Sequence, residues 1–189
     1  KHLQSQAEGN SVYNIMNQQC PTEPTNLIVL PYIQGMGGTP DVCTSATGQI
    51  IGLTSTTALP DLYRGILEGL CYEMAFNMEK LLESGVALQR LYACGGGARS
   101  KIWLQIKADI WGMEIIPVKA EETGALGSAI LGFAAVTGEK NRTVLAEQFV
   151  KHGTPILPNE QNFIRYRKQY EIFKQYRTFS MQFWKEAKQ

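Results

Sequence analysis

Histidine is scarce in this sequence: two residues of 189, His2 and His152, beside four cysteines, Cys20, Cys43, Cys71 and Cys94. The lack of a CxxC pair and the two lone histidines argue against a zinc site. Both histidines lie near loops or ends, so no Ser-His-Asp or Cys-His set can be assembled with conviction. The widely spaced cysteines lack the density of a small disulfide scaffold, and reduced structural thiols in a cytoplasmic protein are expected. An excess of one charge is also missing. Eighteen Lys and Arg stand against seventeen Asp and Glu, a formal net charge of +1, which argues against a dedicated nucleic-acid binder. No uncharged apolar run reaches the roughly 18 residues of a membrane span. The longest soft stretch, Gly124 to Gly138, reads as a buried helix, and no secretory signal is visible.

Hydrophobic residues make up 44% and charged residues 19%, a globular composition. At about 150 residues per domain the length predicts one domain, with room for an appendage. Val12, Ile15 and Met16 suggest a short first helix, broken by Pro21 and Pro24. Leu27–Leu30 reads as a buried strand stopped by Pro31. From Gly35 to Gly48 the chain is turn chemistry, with Gly37, Gly38, Pro40 and Asp41 inside it, and Ile50–Leu53 is a second strand. Leu62, Ile66, Leu70, Met74 and Met78 recur every four residues, a long amphipathic helix with Pro60 in its first turn and Gly85 at its C-terminal cap.

Beyond that helix, Leu91–Cys94 reads as a buried strand. Gly95-Gly96-Gly97-Ala98 follows, then a helix with Trp103, Ile106 and Ile110 on one side. Glu114–Val118 is a short strand ending at Pro117, placed at a sheet edge by its proline, and Glu121–Val136 is helical. Near the C-terminus Phe163, Tyr166, Tyr170, Phe173, Tyr176, Phe179 and Phe183 form an aromatic stripe at helical spacing. Strands alternating with helices make this an α/β chain.

The chemistry-bearing feature is strand, triple glycine, helix. Glycines after a strand let backbone approach a ligand with no Cβ between, and the next helix start offers free N–H groups suited to a phosphate or nucleotide edge. The same glycines also suit a tight turn, and both readings stand. The loop is neither a Walker A sequence nor a GxGxxG fingerprint. Glu121-Glu122 is explained by the macrodipole at a helix start. Asp109 reads as a helix-orienting hydrogen bonder, and Asp41 as a turn residue. The C-terminal helix carries seven Lys or Arg against three Glu from Glu160 onward, but its aromatics segregate from its charges. Packing onto the domain is therefore expected in preference to RNA or membrane binding.

The longer context Gly95-Gly96-Gly97-Ala98-Arg99-Ser100-Lys101-Ile102-Trp103-Leu104-Gln105, continuing through Ala108-Asp109 to Gly112, resembles the adenosine-binding signature of the FGGY carbohydrate kinases. Glu121-Glu122-Thr123-Gly124-Ala125-Leu126-Gly127-Ser128-Ala129 resembles that family's E-x-x-ALGAA run. Tyr63-Arg64-Gly65-Ile66-Leu67-Glu68-Gly69 resembles its R-A-x-x-EG helix, and Leu30-Pro31-Tyr32-Ile33-Gln34-Gly35 its PYL-x-G stretch. Met36-Gly37-Gly38 stands where many members carry a Glu-Arg pair.

The resemblance implies an α/β, ribonuclease H-like (actin-like ATPase) fold, a mixed sheet flanked by helices and incomplete as a C-terminal fragment. Residues 1–26 would lead in from a missing N-terminal domain. Residues 27–189 would form the nucleotide-binding domain, with 160–189 its C-terminal amphipathic helix. It implies ATP and Mg2+ as cofactors, the ion held mainly with the missing domain, and a small sugar or polyol as substrate. Gly96, Gly97 and Ala98 would approach adenosine through their backbone, with Ser100 and Lys101 at the helix start, and no catalytic residue would lie in this chain. The partner is the N-terminal domain of the same protein, with no nucleic acid or membrane and with homo-oligomerisation left open. A non-catalytic actin-like scaffold is the alternative.

Overall fold

The computed structural model describes residues 11–37 and 41–186. Gly38 and Pro40 of the turn stretch, and His2, lie outside the described residues. Helix α1 spans Val12–Gln19, strand β1 Ile28–Leu30, strand β2 Gln49–Ile51 and helix α2 Leu59–Glu83. Strand β3 spans Leu91–Ala93 and leads through a 3-10 turn at Gly96–Arg99 into helix α3, Lys101–Trp111. Strand β4 is Ile115–Pro117. Helices α4, α5 and α6 span Thr123–Thr137, Arg142–Phe149 and Glu160–Glu186.

The main core lies among β1, the loop after it, α2, α3 and α6. Leu30, Tyr32, Cys71, Tyr72, Ile106, Tyr166 and Phe173 are buried in it. Two glycines one turn apart on α2 let β1 come close. A Cβ at Gly65 would meet the Leu27 side chain at 3.2 Å, and one at Gly69 would run into the Val29 carbonyl. Between them, Glu68 is fully buried and holds Thr25, Arg64 and Tyr166. Its carboxylate accepts from the Thr25 hydroxyl at 2.6 Å, Arg64 Nε at 2.8 Å and the Tyr166 hydroxyl at 2.7 Å. Burial pushes the Glu68 carboxyl upward against these donors. The pair is fully satisfied, the condition under which a buried charge is tolerated.

The two pairings of a mixed sheet are both present, in two separate two-stranded sheets. β1 pairs antiparallel with β2, Val29 opposite Ile50, and β3 pairs parallel with β4, Tyr92 opposite Ile116. A smaller core of Leu104, Ala108 and Ile115 joins α3 to the second sheet. Here three expectations need correction. β4 is not an edge: Ile115 exchanges backbone hydrogen bonds with Ile156, and the Pro117 carbonyl accepts from Gly153 N at 2.7 Å. Proline forfeits only its own N–H, which left the carbonyl side free to pair. β3, expected to be buried, is half-buried at Leu91 and Ala93 and exposed at Tyr92, and among the described residues no strand pairs its other edge. Helix α4, expected to be buried, has no buried residue at all. It meets α5 through an edge-to-face contact of Phe133 with Phe149, centroids 5.2 Å apart.

The aromatic stripe also divides. Tyr166, Tyr170 and Phe173 are buried, but Phe179 is 68% exposed and Phe183 59%. Successive steps of three residues fall about 60° short of a full turn each, so the stripe rotates out of the core. Arg177, Ser180, Met181 and Trp184 take its place.

Candidate functional site

The glycine loop joins the end of β3 to the start of α3, and its three glycines answer to three different causes. Gly95 has φ 75° and ψ −165°, a backbone region that only glycine enters readily. Gly97 is close-packed: a Cβ there would lie 2.7 Å from Cζ3 of Trp103. Gly96 is exposed, has no positive φ, and a Cβ on it would meet nothing within 4 Å. Neither turn geometry nor packing requires glycine at 96. Gly97 therefore has a packing reason in addition to the expected backbone approach, and Gly96 is the position at which a ligand alone would demand the missing side chain.

Ser100 ends the loop and caps α3, its hydroxyl accepting from Trp103 N at 3.3 Å. The same hydroxyl donates to Asn17 Oδ1 at 3.0 Å. Ser100 is thus engaged within the fold, while Lys101 is exposed in the first helical turn and Ala98 is half-buried. Arg99 Nη2 donates to the Glu121 carbonyl at 3.2 Å, linking the loop to the segment before α4. Exposed Cys94 immediately precedes the loop, and the other three cysteines are buried.

Trp103 also lines a groove of about 340 Å³, between Tyr32–Gly37 and the Leu70–Asn77 face of α2. Its polar wall is Glu73, which accepts from the Tyr32 hydroxyl and from Arg177 Nε at 3.2 Å. Burial and this carboxylate push the Tyr32 phenol above its ordinary value. Arg177 Nη1 donates to Asp41 Oδ2 at 2.8 Å, so Asp41 is the ion-pair partner of a buried arginine rather than a mere turn residue. Asp109 does act as an orienting acceptor. It is buried and takes Gln105 Nε2 at 2.7 Å, Asn159 N at 2.8 Å and Asn162 Nδ2 at 2.9 Å, fixing the start of α6.

What meets at the loop is backbone, a helix start, a capping hydroxyl and an exposed ammonium. That set can hold a phosphate or the polar edge of a nucleotide. Gly95 stands in the triple-glycine run of the sequence without its positive φ being marked there, and Asn17 stands in no sequence motif. A first glycine after a strand could have signalled the positive φ, whereas nothing in a short polar helix singles out Asn17.

Residues 2–136 match the FGGY family of carbohydrate kinases, C-terminal domain. The chain is 33% identical over 158 residues to xylulose kinase of Escherichia coli strain K12, covering 83% of this chain and 32% of that protein. It is 29% identical over 185 residues to ribulokinase of Bacillus licheniformis, covering 93% and 33%. Among solved structures, xylulose kinase from Rhodospirillum rubrum superposes with a TM-score of 0.78 at 24% identity, covering 95% of this chain and 36% of that one. Glycerol kinase of Plasmodium falciparum, solved with ADP, gives 0.73 at 17% identity, covering 94% and 35%. The fold is the ribonuclease H-like, actin-like one of these proteins, and the chain spans about a third of their length.

Proposed function

The chain belongs to the FGGY family of carbohydrate kinases, and from that membership we propose that it is the nucleotide-binding C-terminal half of an ATP-dependent kinase of a sugar or polyol. The observation that carries this reading is Gly96, an exposed glycine that neither its φ nor its packing requires, at a strand-to-helix junction. In this reading Gly96, Gly97 and Ala98 present bare backbone to adenosine, and Lys101 stands in the first turn of α3, where a cation can approach the nucleotide. Ser100 contributes by shaping the helix start.

ATP supplies the γ-phosphoryl group, and transfer to a sugar hydroxyl depends mainly on positioning and charge neutralisation. Among the described residues no group of three or more His, Cys, Asp or Glu side chains could hold a metal ion. Mg2+ is ordinarily held by one or two carboxylates together with the phosphates and water rather than by such a cage, and in the proposal the ion and the catalytic base belong with the N-terminal domain. Closure of the two domains over the sugar would exclude water from the phosphoryl group.

The surface supports such a partner. Helix α4 is rich in apolar and small residues, yet none is buried, and Val136 is 88% exposed. An apolar helix with no buried residue, and a β3 edge that no strand pairs among the described residues, are surfaces onto which further polypeptide can pack. In the proposal the N-terminal part of the same protein supplies it, residues 27–189 form the nucleotide-binding domain, and the whole acts in the cytoplasm. Among the described residues no helix is long and apolar enough to cross a membrane.

Calorimetric titration of the 189-residue chain with a non-hydrolysable ATP analogue tests the reading. Saturable binding is expected. A folded chain without affinity contradicts it and favours the non-catalytic actin-like scaffold, to which the Met36-Gly37-Gly38 departure also points.

A further inference from the structure

Asn17 lies on α1, outside the four short motif stretches although within the 2–136 match, and its side-chain oxygen ties that helix to the glycine loop. Asn17 Oδ1 accepts from the Ser100 hydroxyl at 3.0 Å and from the Tyr63 hydroxyl at 2.9 Å. Tyr63 belongs to α2, next to buried Arg64, whose guanidinium donates to the Pro21 carbonyl at 2.5 Å and to Tyr166 at 2.7 Å. The oxygen is thereby tied, through the partly buried Tyr63, to the hydrogen-bonded cluster of the core. A serine hydroxyl has one proton and two lone pairs. Donating that proton to Asn17 leaves a lone pair for the Trp103 amide, the first-turn bond of α3. Trp103 in turn forms the seat against which Gly97 packs. The sequence of contacts runs from Asn17 to Ser100, to Trp103, to the glycine loop.

We propose that Asn17 is a positioning residue for the nucleotide loop, holding the Ser100 cap and through it the backbone from Gly97 to Trp103. The proposal rests on the nucleotide reading above, since only a loop that receives a ligand gains affinity from being held in place beforehand. Without the Asn17 acceptor the Ser100 hydroxyl rotates freely and the cap weakens. Loss of one neutral hydrogen bond of ordinary strength corresponds to about a fivefold change in an equilibrium.

The test uses the 189-residue chain and two readouts: amide hydrogen exchange over residues 97–103, and the Kd for a non-hydrolysable ATP analogue. Asn17→Leu keeps the size and removes the acceptor. Asn17→Asp keeps an oxygen that both hydroxyls can reach. Tyr63→Phe removes the other hydrogen bond and leaves the Ser100 contact. Faster exchange at the Trp103 amide and a Kd raised about fivefold are expected for Asn17→Leu, with both restored in Asn17→Asp and the exchange unchanged in Tyr63→Phe. A merely structural role predicts that Asn17→Leu and Tyr63→Phe alter the loop equally. That result overturns the proposal, as does wild-type exchange in Asn17→Leu or failure of Asn17→Asp to rescue. Should Asn17→Leu fail to fold, Asn17→Ala makes the same comparison. If the unaltered chain binds no analogue, the nucleotide reading falls and the proposal falls with it, while the exchange data still report whether Asn17 orders the loop.

Discussion

Single residues carry the distinction between architecture and ligand at the glycine loop. Three adjacent glycines look alike in sequence, but Gly95 is required by its φ, Gly97 by Trp103, and Gly96 by nothing within the fold. Gly97→Ala should therefore overpack against the indole and cost about 1–3 kcal/mol, whereas Gly96→Ala should leave stability near wild type; urea denaturation of both variants reads the difference. Thiol chemistry gives a second test. Burial pushes the Cys71 thiol up to about 12 and also raises Cys20, while Cys94 is exposed beside the loop. Iodoacetamide at pH 8 should modify Cys94 first in the folded chain, as mass spectrometry of peptides would show, and the ATP analogue should slow that reaction. Rapid modification of Cys71 in the native state would contradict the packing of α2 against α3.

At the level of elements, α6 shows both how far periodicity reaches and where it fails. The aromatic spacing correctly marks Tyr166, Tyr170 and Phe173 as core. It overextends through Tyr176 and Phe179 because repeated steps of three drift around the helix, and the buried line continues instead through Arg177 and Trp184. A buried arginine could not be anticipated from spacing, since its partners Asp41 and Glu73 come from distant segments. Phe173→Ala should cost about 3–5 kcal/mol, and Phe179→Ala should stay within about 0.5 kcal/mol. Equal thermal shifts for the two would contradict the rotation of the stripe. The existence and ends of the long helix α2 were legible, with Pro60 in its first turn and Gly85 just past its last, but its facing was not. None of Leu62, Ile66, Leu70, Met74 and Met78 is buried, Ile66 and Met74 are exposed, and the core takes Leu67, Cys71, Tyr72 and Ala75 beside the close-packed Gly65 and Gly69. The burial of α4 and the placement of β4 were not legible either, because both depend on which chain segments lie alongside, and neighbours are not written in a local pattern.

For the whole molecule, the chain spans about a third of the length of its relatives, and among the described residues helix α4 has no buried residue and no strand pairs the outer edge of β3; in the proposal the N-terminal part of the protein packs there. In the proposed reading the catalytic base and the sugar pocket lie in the N-terminal domain. The 189-residue chain alone should then yield no sugar-dependent ADP with any pentulose, hexose or polyol offered; robust turnover in a coupled assay would place the active centre within this chain after all. The central claim is narrower and can be met directly: the loop after β3 receives a nucleotide. Calorimetric titration of the ATP analogue into Gly96→Val, beside circular dichroism to establish folding, puts it to the sharpest test, because Gly96 is the glycine the fold does not need. The account predicts a folded variant whose affinity falls at least tenfold from that of the unaltered chain. A folded Gly96→Val with unchanged affinity would show that no ligand approaches this backbone, and the assignment of the glycine loop to adenosine would be wrong.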